Sequence, residues 1–237
     1  MVMKLDQSRY CGRQNKRSVL RPGRILIVCL LVLVGLRLFV LLPVRVVSES
    51  MLPTLHVGDI LLADITCYGL RLPFFTTKNL DTGSPQRGDI VLFAYPLDKH
   101  QVYLKRVIGL PGDVVVLKGH SLFLNGKQVI AQPACIQDRA ALHSKEHFTW
   151  EGKERLGDKV HAVLFDGDGS ADRETRRFEV PAGAYFVLGD NRDHSVDSRK
   201  WGFVPNENLI GRPFVILFSW DMSRHRIEWA RTGLNIH

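Results

Sequence analysis

The sequence predicts a mostly-β protein: a β-rich domain held to a membrane by one N-terminal transmembrane helix and interrupted by a small inserted subdomain. Three observations predict it. An apolar run, ILIVCLLVLVGLRLFVLL at 25–42, follows a basic tail. Beyond it, short stretches rich in Val, Ile, Leu, Phe and Tyr alternate with Gly, Pro, Asp and Asn at close intervals, which is strand-and-turn patterning. Residues 132–178 break that texture, being polar and rich in His, Asp, Glu and Arg.

In chain order, residues 1–24 read as a cytoplasmic tail. They hold Lys4, Arg9, Arg13, Lys16, Arg17, Arg21 and Arg24 against Asp6 alone, and so carry most of the formal net charge of +8. The rest of the chain carries only +2, too small a surplus to form a basic domain that grips phosphates, and nucleic acid is not expected as a partner. Residues 25–45 read as the anchor. As a helix the apolar run spans about 27 Å, near the bilayer's hydrocarbon thickness of about 30 Å. Arg37 lies toward one end, where its side chain can reach the headgroups. With the basic tail before it, the positive-inside rule puts the N-terminus in the cytoplasm and the remainder outside. A cleaved secretory signal fits less well, because Leu42, Pro43, Val44, Arg45 and Val46 offer no small-x-small site.

Residues 46–131 and 179–237 read as the two parts of one β domain, separated by the 132–178 insert. Expected strands lie in DILLADI, DIVLFAY, VYLKRVIGL, DVVVLKG, SLFLNGKQVI, AYFVLGD and RPFVILFSW. Asn125-Gly126 between SLFL and KQVI predicts a two-residue hairpin, because both turn positions need positive φ. The insert is expected to hold a hairpin or two of its own. Its DGDGSAD stretch resembles a calcium loop, but the twelfth position counted from Asp166 is Arg177, not Glu. The nine histidines show no ligand spacing, and neither a metal nor a cofactor is expected. Cys67 and Cys135 fall outside the membrane, where a disulfide is chemically permitted.

Three segments carry chemistry. SESMLPTLHVGD at 48–59 follows the anchor directly; its serines are either turn residues or a nucleophile whose backbone Pro53 stiffens. In YLKRVIGLPGD at 103–113, alternation puts Lys105 and Val107 on one face. Either Lys105 faces the core, with a pKa lowered by burial, or Arg106 does and Lys105 is a solvated edge charge. GDNRDHSVDSRKWGFVP at 189–205 is a dense polar run straight after the apolar AYFVL.

Taken together, SESMLPTL, RGDIVLF at 87–93, YLKRVIGLPGD and GDNRDHSVDSRKWGFVP resemble, in order and spacing, the boxes of the type I signal peptidases. The resemblance implies a Ser/Lys dyad in a bacterial inner-membrane enzyme whose catalytic domain lies on the periplasmic face. It cuts signal peptides from exported preproteins after small-x-small sites. It implies Ser50 as nucleophile and Lys105 as general base. Ser48 would join the Ser50 N–H in the oxyanion hole, Ser195 would hydrogen-bond the lysine, and Asp197 and Arg199 would form a supporting ion pair. Pockets for small side chains are expected from Met51, Leu55, Leu92, Tyr103 and Leu104, with the peptide bound as an added strand. Signal peptides, the lipid bilayer and the protein-export machinery are the implied partners.

The chain departs from that pattern at Glu49, where a small residue is common, and at His194, where Asn is common; it also shows one membrane segment where some relatives carry two. A maturation peptidase for specialised secretion or conjugation uses the same chemistry. A self-cleaving repressor would need a DNA-binding module in place of the anchor. A silent peptide-binding domain would have no use for Ser50, Lys105 and Ser195 together.

Overall fold

The computed structural model describes residues 22–69, 82–129, 131–133, 149–166, 175–221 and 224–236. It is mostly β, as the patterning predicts. A helix, α1 (Pro22–Val40), comes first. The strands follow as β1 (Leu41–Arg45), β2 (Asp59–Asp64), β3 (Ile90–Tyr95), β4 (Asp98–Gly109), β5 (Val114–Lys118), β6 (Ser121–Leu124), β7 (Lys127–Val129) and β8 (Ala131–Pro133). Next come β9 (Thr149–Leu156), β10 (Lys159–Asp166), β11 (Thr175–Glu179), β12 (Ala184–Leu188), β13 (Val204–Pro205), β14 (Leu209–Asp221) and β15 (Arg226–Ile227). A four-residue helix, α2 (Ser198–Trp201), precedes β13.

The largest sheet runs β1-β2-β14-β3-β4-β12-β13, with β15 beside β14. A second sheet is ordered β11-β5-β6-β7 and a third β10-β9-β8. The β6–β7 turn is the one expected: Asn125 has φ 50° and Gly126 φ 77°. Three apolar clusters fill the interior. Val91, Phe93, Val107, Tyr185, Val187 and Leu209 form one. Ile108, Val115, Leu122, Leu156, Val180 and Phe186 form another. Val46, Met51, Leu55, Leu61, Ile90 and Ile216 form the third.

Two boundaries differ from the sequence reading. The expected anchor ran to residue 45, but the helix ends at Val40 and Leu41–Arg45 pair antiparallel with β2, Leu41 opposite Asp64 and Arg45 opposite Ile60. The apolar letters of LLPVR continue the helical run, yet they serve a sheet edge, which is where a strand tolerates a proline such as Pro43. Among the described residues no helix is long and apolar enough to cross a membrane. At the other boundary, β11 starts inside the expected insert but pairs with β5, Thr175 opposite Lys118 and Glu179 opposite Val114. The β9–β10 hairpin within the insert is present. The DGDGSAD loop beyond Asp166 and Cys135 lie outside the described residues. Cys67 donates its thiol hydrogen bond to the Asp64 carbonyl at 3.1 Å.

At the middle of the main sheet, β3 and β4 pair with Val91 opposite Lys105 and Ile90 opposite Arg106. Both cations are buried, Lys105 4% exposed and Arg106 0%. The sequence posed them as alternatives, and the strand buries one on each face. Arg106 donates to both oxygens of the fully buried Asp190, Nε to Oδ1 at 2.8 Å and Nη2 to Oδ2 at 2.7 Å, and through Nη1 to the Gly88 carbonyl at 2.7 Å. Burial alone would raise the Asp190 pKa, but the guanidinium overrides it and holds the carboxyl below its ordinary value. Removing one partner of such a pair strands the other charge in the core. Asp190→Asn is expected to lower unfolding free energy by about 3–5 kcal/mol in urea titrations. The double variant Arg106→Met/Asp190→Asn should recover part of the loss, and an undiminished single variant would refute the pair's role.

Candidate active site

The chain leaving β1 makes a single 3-10 turn at Glu49–Met51, with Ser48 in extended backbone just before it. Met51 and Leu55 drop their side chains into the third apolar cluster and hold the turn against the sheet. Further along, Asp59 accepts from the His56 N–H at 2.9 Å and pairs with Arg231 Nη2 at 2.6 Å, while Arg231 also donates to the Thr54 carbonyl at 3.1 Å. The Leu52–Pro53 peptide is cis. The turn is thus fixed from below by apolar packing and from its far end by the C-terminal segment.

This turn brings Ser50 Oγ to 2.6 Å from Lys105 Nζ. Ser48 Oγ lies 3.1 Å from Ser50 Oγ. Burial is the main cause that pulls the Lys105 pKa from its ordinary 10.5 down to about 8; Asp197 and Asp190 oppose it and Arg199 assists. The ammonium stands 5.8 Å from the centroid of the Tyr103 ring. Glu49 is exposed, and His194 is exposed as well.

The polar segment after β12 closes over the turn. Asn191 donates its backbone N–H to the Ser50 carbonyl at 3.1 Å and its side-chain amide to the Glu49 carbonyl at 3.2 Å. Asp197, fully buried, accepts Arg199 Nε on Oδ1 and Nη2 on Oδ2, each at 2.8 Å, and the Gly189 N–H at 3.0 Å. Arg199 reaches on to the carbonyls of Arg192 and Ser195. Ser198 accepts the Val187 N–H at 2.9 Å, tying α2 to β12. Gly189 stands where a Cβ would lie 2.4 Å from the Ser50 carbonyl oxygen and 2.3 Å from Ser195 Oγ. Only glycine lets the two segments approach this closely.

Two expectations need correcting. Ser195 is buried beside the turn, but its Oγ has no hydrogen-bond partner, so the expected bond to Lys105 is not made. A buried hydroxyl without a partner costs about 1–3 kcal/mol. The pocket residues also divide. Leu55 and Leu92, and Met51 with them, have no surface left for a peptide because they fill the core. Tyr103 and Leu104 stay partly accessible, on opposite faces of β4. Tyr103 stacks on Tyr95 at 4.6 Å and shares the Lys105 face.

Asn191, Thr54 and Arg231 complete the arrangement without having been singled out from the sequence, where Arg106 stood only as an alternative to Lys105 and Gly189 and Asp190 only as part of the polar run. Gly189 was findable, since a glycine between an apolar strand and an acid marks a sharp change of direction. The others are defined by partners far along the chain. Among the described residues no group of three His, Cys, Asp or Glu side chains is placed to hold a metal ion.

The family model described as "Signal peptidase, peptidase S26" matches residues 19–219. Signal peptidase I of Pseudomonas fluorescens is 38% identical over 234 residues, covering 93% of this chain and 81% of that protein. Signal peptidase I of Pseudomonas aeruginosa is 37% identical over 218 residues, covering 87% of this chain and 75% of that protein. The crystal structure of a signal peptidase I from Enterococcus faecalis V583 is 30% identical, with a TM-score of 0.33, and the match covers 54% of this chain and 96% of that one. On the extent of the family match and the identity shared with full-length relatives, the chain belongs to the signal peptidase family, peptidase S26.

Proposed function

We propose that this chain is a membrane-bound serine endopeptidase that removes N-terminal signal peptides from exported preproteins, cutting after small-x-small sites with Ser50 as nucleophile and Lys105 as general base. The observation that carries the reading is the buried 2.6 Å contact between Lys105 Nζ and Ser50 Oγ. A lysine that is half neutral near pH 8 can take a proton that an ordinary lysine could not. Family membership and the activity stated for the relatives agree with it.

In this reading the neutral Lys105 amine takes the Ser50 proton as Oγ attacks the scissile carbonyl. The oxyanion collects the Ser48 hydroxyl and the Ser50 N–H as donors. Collapse of the tetrahedral intermediate breaks the peptide bond, and the Lys105 ammonium gives its proton to the leaving amine. The same amine, neutral again, activates water to hydrolyse the acyl-enzyme. Asp197 and Arg199 hold the loop that closes the site.

The substrate would lie along β4. Its pairing with β12 begins at Arg106, so among the described strands the segment before it has only β3 as a neighbour. A peptide can add there as a strand, with Tyr103 and Leu104 flanking its small side chains. The anchor is α1. Its Ile25, Leu26, Ile27, Val28, Leu30, Leu31 and Val32 are exposed, and a bilayer gives such a surface the apolar cover that water does not. From Ile25 to Val40 the helix is about 24 Å long, short of about 30 Å by an amount that local thinning of the bilayer accommodates. The basic residues before it put the N-terminus in the cytoplasm and the β domain on the periplasmic face, near the protein-export machinery.

The test is cleavage of a preprotein carrying an Ala-x-Ala site by the detergent-solubilised full chain. Ser50→Ala and Lys105→Ala should each lower kcat by at least about 10³-fold, the scale of losing a nucleophile or its base. Wild-type turnover by either variant would refute the dyad. Because only the neutral lysine acts as a base, kcat/KM should rise with pH through a midpoint of about 8 and level off above it. A midpoint near 10.5 would show the lysine to be solvated. Gly189→Ala forces the Ser50 carbonyl or the facing loop to move; displacement by about 1 Å predicts a fall in kcat of about 10²-fold. Unaltered kcat in that variant would show that the close approach is not needed.

A further inference from the structure

The β9–β10 hairpin belongs to the inserted segment, to which the sequence assigns no role, yet it grips the loop that covers the nucleophile. Glu154 on β9 is 1% exposed, and its two oxygens take Nη1 and Nη2 of Arg192, the first at 2.6 Å. Arg192 is buried too, its guanidinium 5.6 Å from the centroid of the Phe165 ring on β10. The backbone is tied at the same place: the Leu164 N–H donates to the Asp190 carbonyl at 2.8 Å and the Arg192 N–H to the Leu164 carbonyl at 2.9 Å. A second tie at the start of β10 joins Lys159 to the buried Asp89, beside the Gly88 carbonyl that Arg106 holds. Burial would raise the Glu154 pKa, but Arg192 and the neighbouring His161 pull it down to about 2, so the carboxylate stays charged at any working pH.

From Arg192 the contacts lead straight to the chemistry. The preceding residue, Asn191, holds the Ser50 and Glu49 carbonyls. The Arg192 carbonyl accepts from Arg199, which in turn fixes Asp197 and the Ser195 carbonyl. We infer that Glu154 is a positioning residue for peptide cleavage: by anchoring Arg192 it sets the place of Asn191 against the Ser50 carbonyl and of Ser195 and Asp197 around Lys105. The inference rests on Ser50 and Lys105 being the dyad. It makes the insert a working part of the site, because without Glu154 the buried Arg192 cation has lost its carboxylate and moves toward water. The loop moves with it and admits water to Lys105, which Asp190 at the end of β12, Asp197 before α2 and Arg199 on α2 now face.

The experiment compares full-length wild type, Glu154→Gln, Glu154→Asp and Ser50→Ala on a synthetic Ala-x-Ala peptide in detergent, with rates normalised to the folded fraction measured by circular dichroism. Glu154→Gln should lower normalised kcat by about 10–100-fold, as a displacement of about 1 Å would. It should also move the kcat/KM midpoint upward from about 8 toward 10.5. Glu154→Asp keeps the charge on a shorter stem and should fall between, and it serves as the test if Glu154→Gln does not fold. A normalised kcat and midpoint equal to wild type would overturn the inference. So would a loss that tracks the folded fraction with the midpoint unmoved, which is what a purely stabilising residue would give. Turnover by Ser50→Ala would instead refute the dyad itself, whatever Glu154 does.

Discussion

The arrangement depends on two consecutive cations inside one strand, of which only Arg106 has a carboxylate of its own. Arg106 is satisfied by Asp190 and the Gly88 carbonyl, and it locks the segment after β12 to the middle of the sheet. Lys105, one residue earlier and on the other face, has Ser50 for its neighbour. Lowering its pKa to about 8 corresponds to roughly 3 kcal/mol of differential destabilisation of the charged form. Between about pH 8 and 10.5 the unfolded chain binds more protons at this position than the folded one, so this group makes stability rise with pH across that window and costs most below it. The fold must supply that free energy elsewhere, and the ion pair next door is placed to keep the strand from shifting to relieve it.

The same economy of partners explains the loop after β12. Every charge in it that is buried is paired: Asp190 with Arg106, Arg192 with Glu154, Asp197 with Arg199. Each pair comes from a different part of the chain: β4, β9 and the loop's own helix. A polar segment can therefore be as rigid as an apolar one, because moving it would expose three buried charges at once. The uncharged Ser195 Oγ, by contrast, has no partner, and it lies where a Cβ on Gly189 would come within 2.3 Å of it.

Most of the strands were legible because they are short runs of Val, Ile, Leu, Phe and Tyr whose turns carry Gly, Asn or Asp at the places where the backbone reverses. β1 was not, since Leu41 and Leu42 extend an apolar run and nothing local announces that a helix has ended. β9 was hidden for a different reason. Its inward positions include Gly152, Glu154 and Leu156, and an inward glutamate erases the alternation that marks a strand. What justifies that glutamate is Arg192, far along the chain, and no window of sequence contains both. The pairing of Ser50 with Lys105 was expected from the resemblance, and the two lie 2.6 Å apart, whereas the choice between a buried Lys105 and a buried Arg106 rested on a false opposition. Alternation assigns residues to faces, but it does not say that one face is wet. The pocket residues failed for the same cause: Leu55 and Leu92 are apolar and near the site, and that is also the description of core.

The short link between α1 and Ser50 adds a constraint that the β domain alone would not reveal. Val40 ends the helix, Leu41–Arg45 are committed to β1, and Ser50 follows within the next turn. Even fully extended, the chain from Val40 to Ser50 covers no more than about 36 Å. If α1 is held in a bilayer, Ser50 cannot lie far from the membrane surface. A cleavage site lying just beyond an apolar signal segment would be confined to that layer as well. Using Leu41–Arg45 as a strand instead of as more helix shortens α1 and leaves no linker residues between it and β1. On the condition that a bilayer holds α1, so short a link to Ser50 favours a membrane-held substrate over a free one.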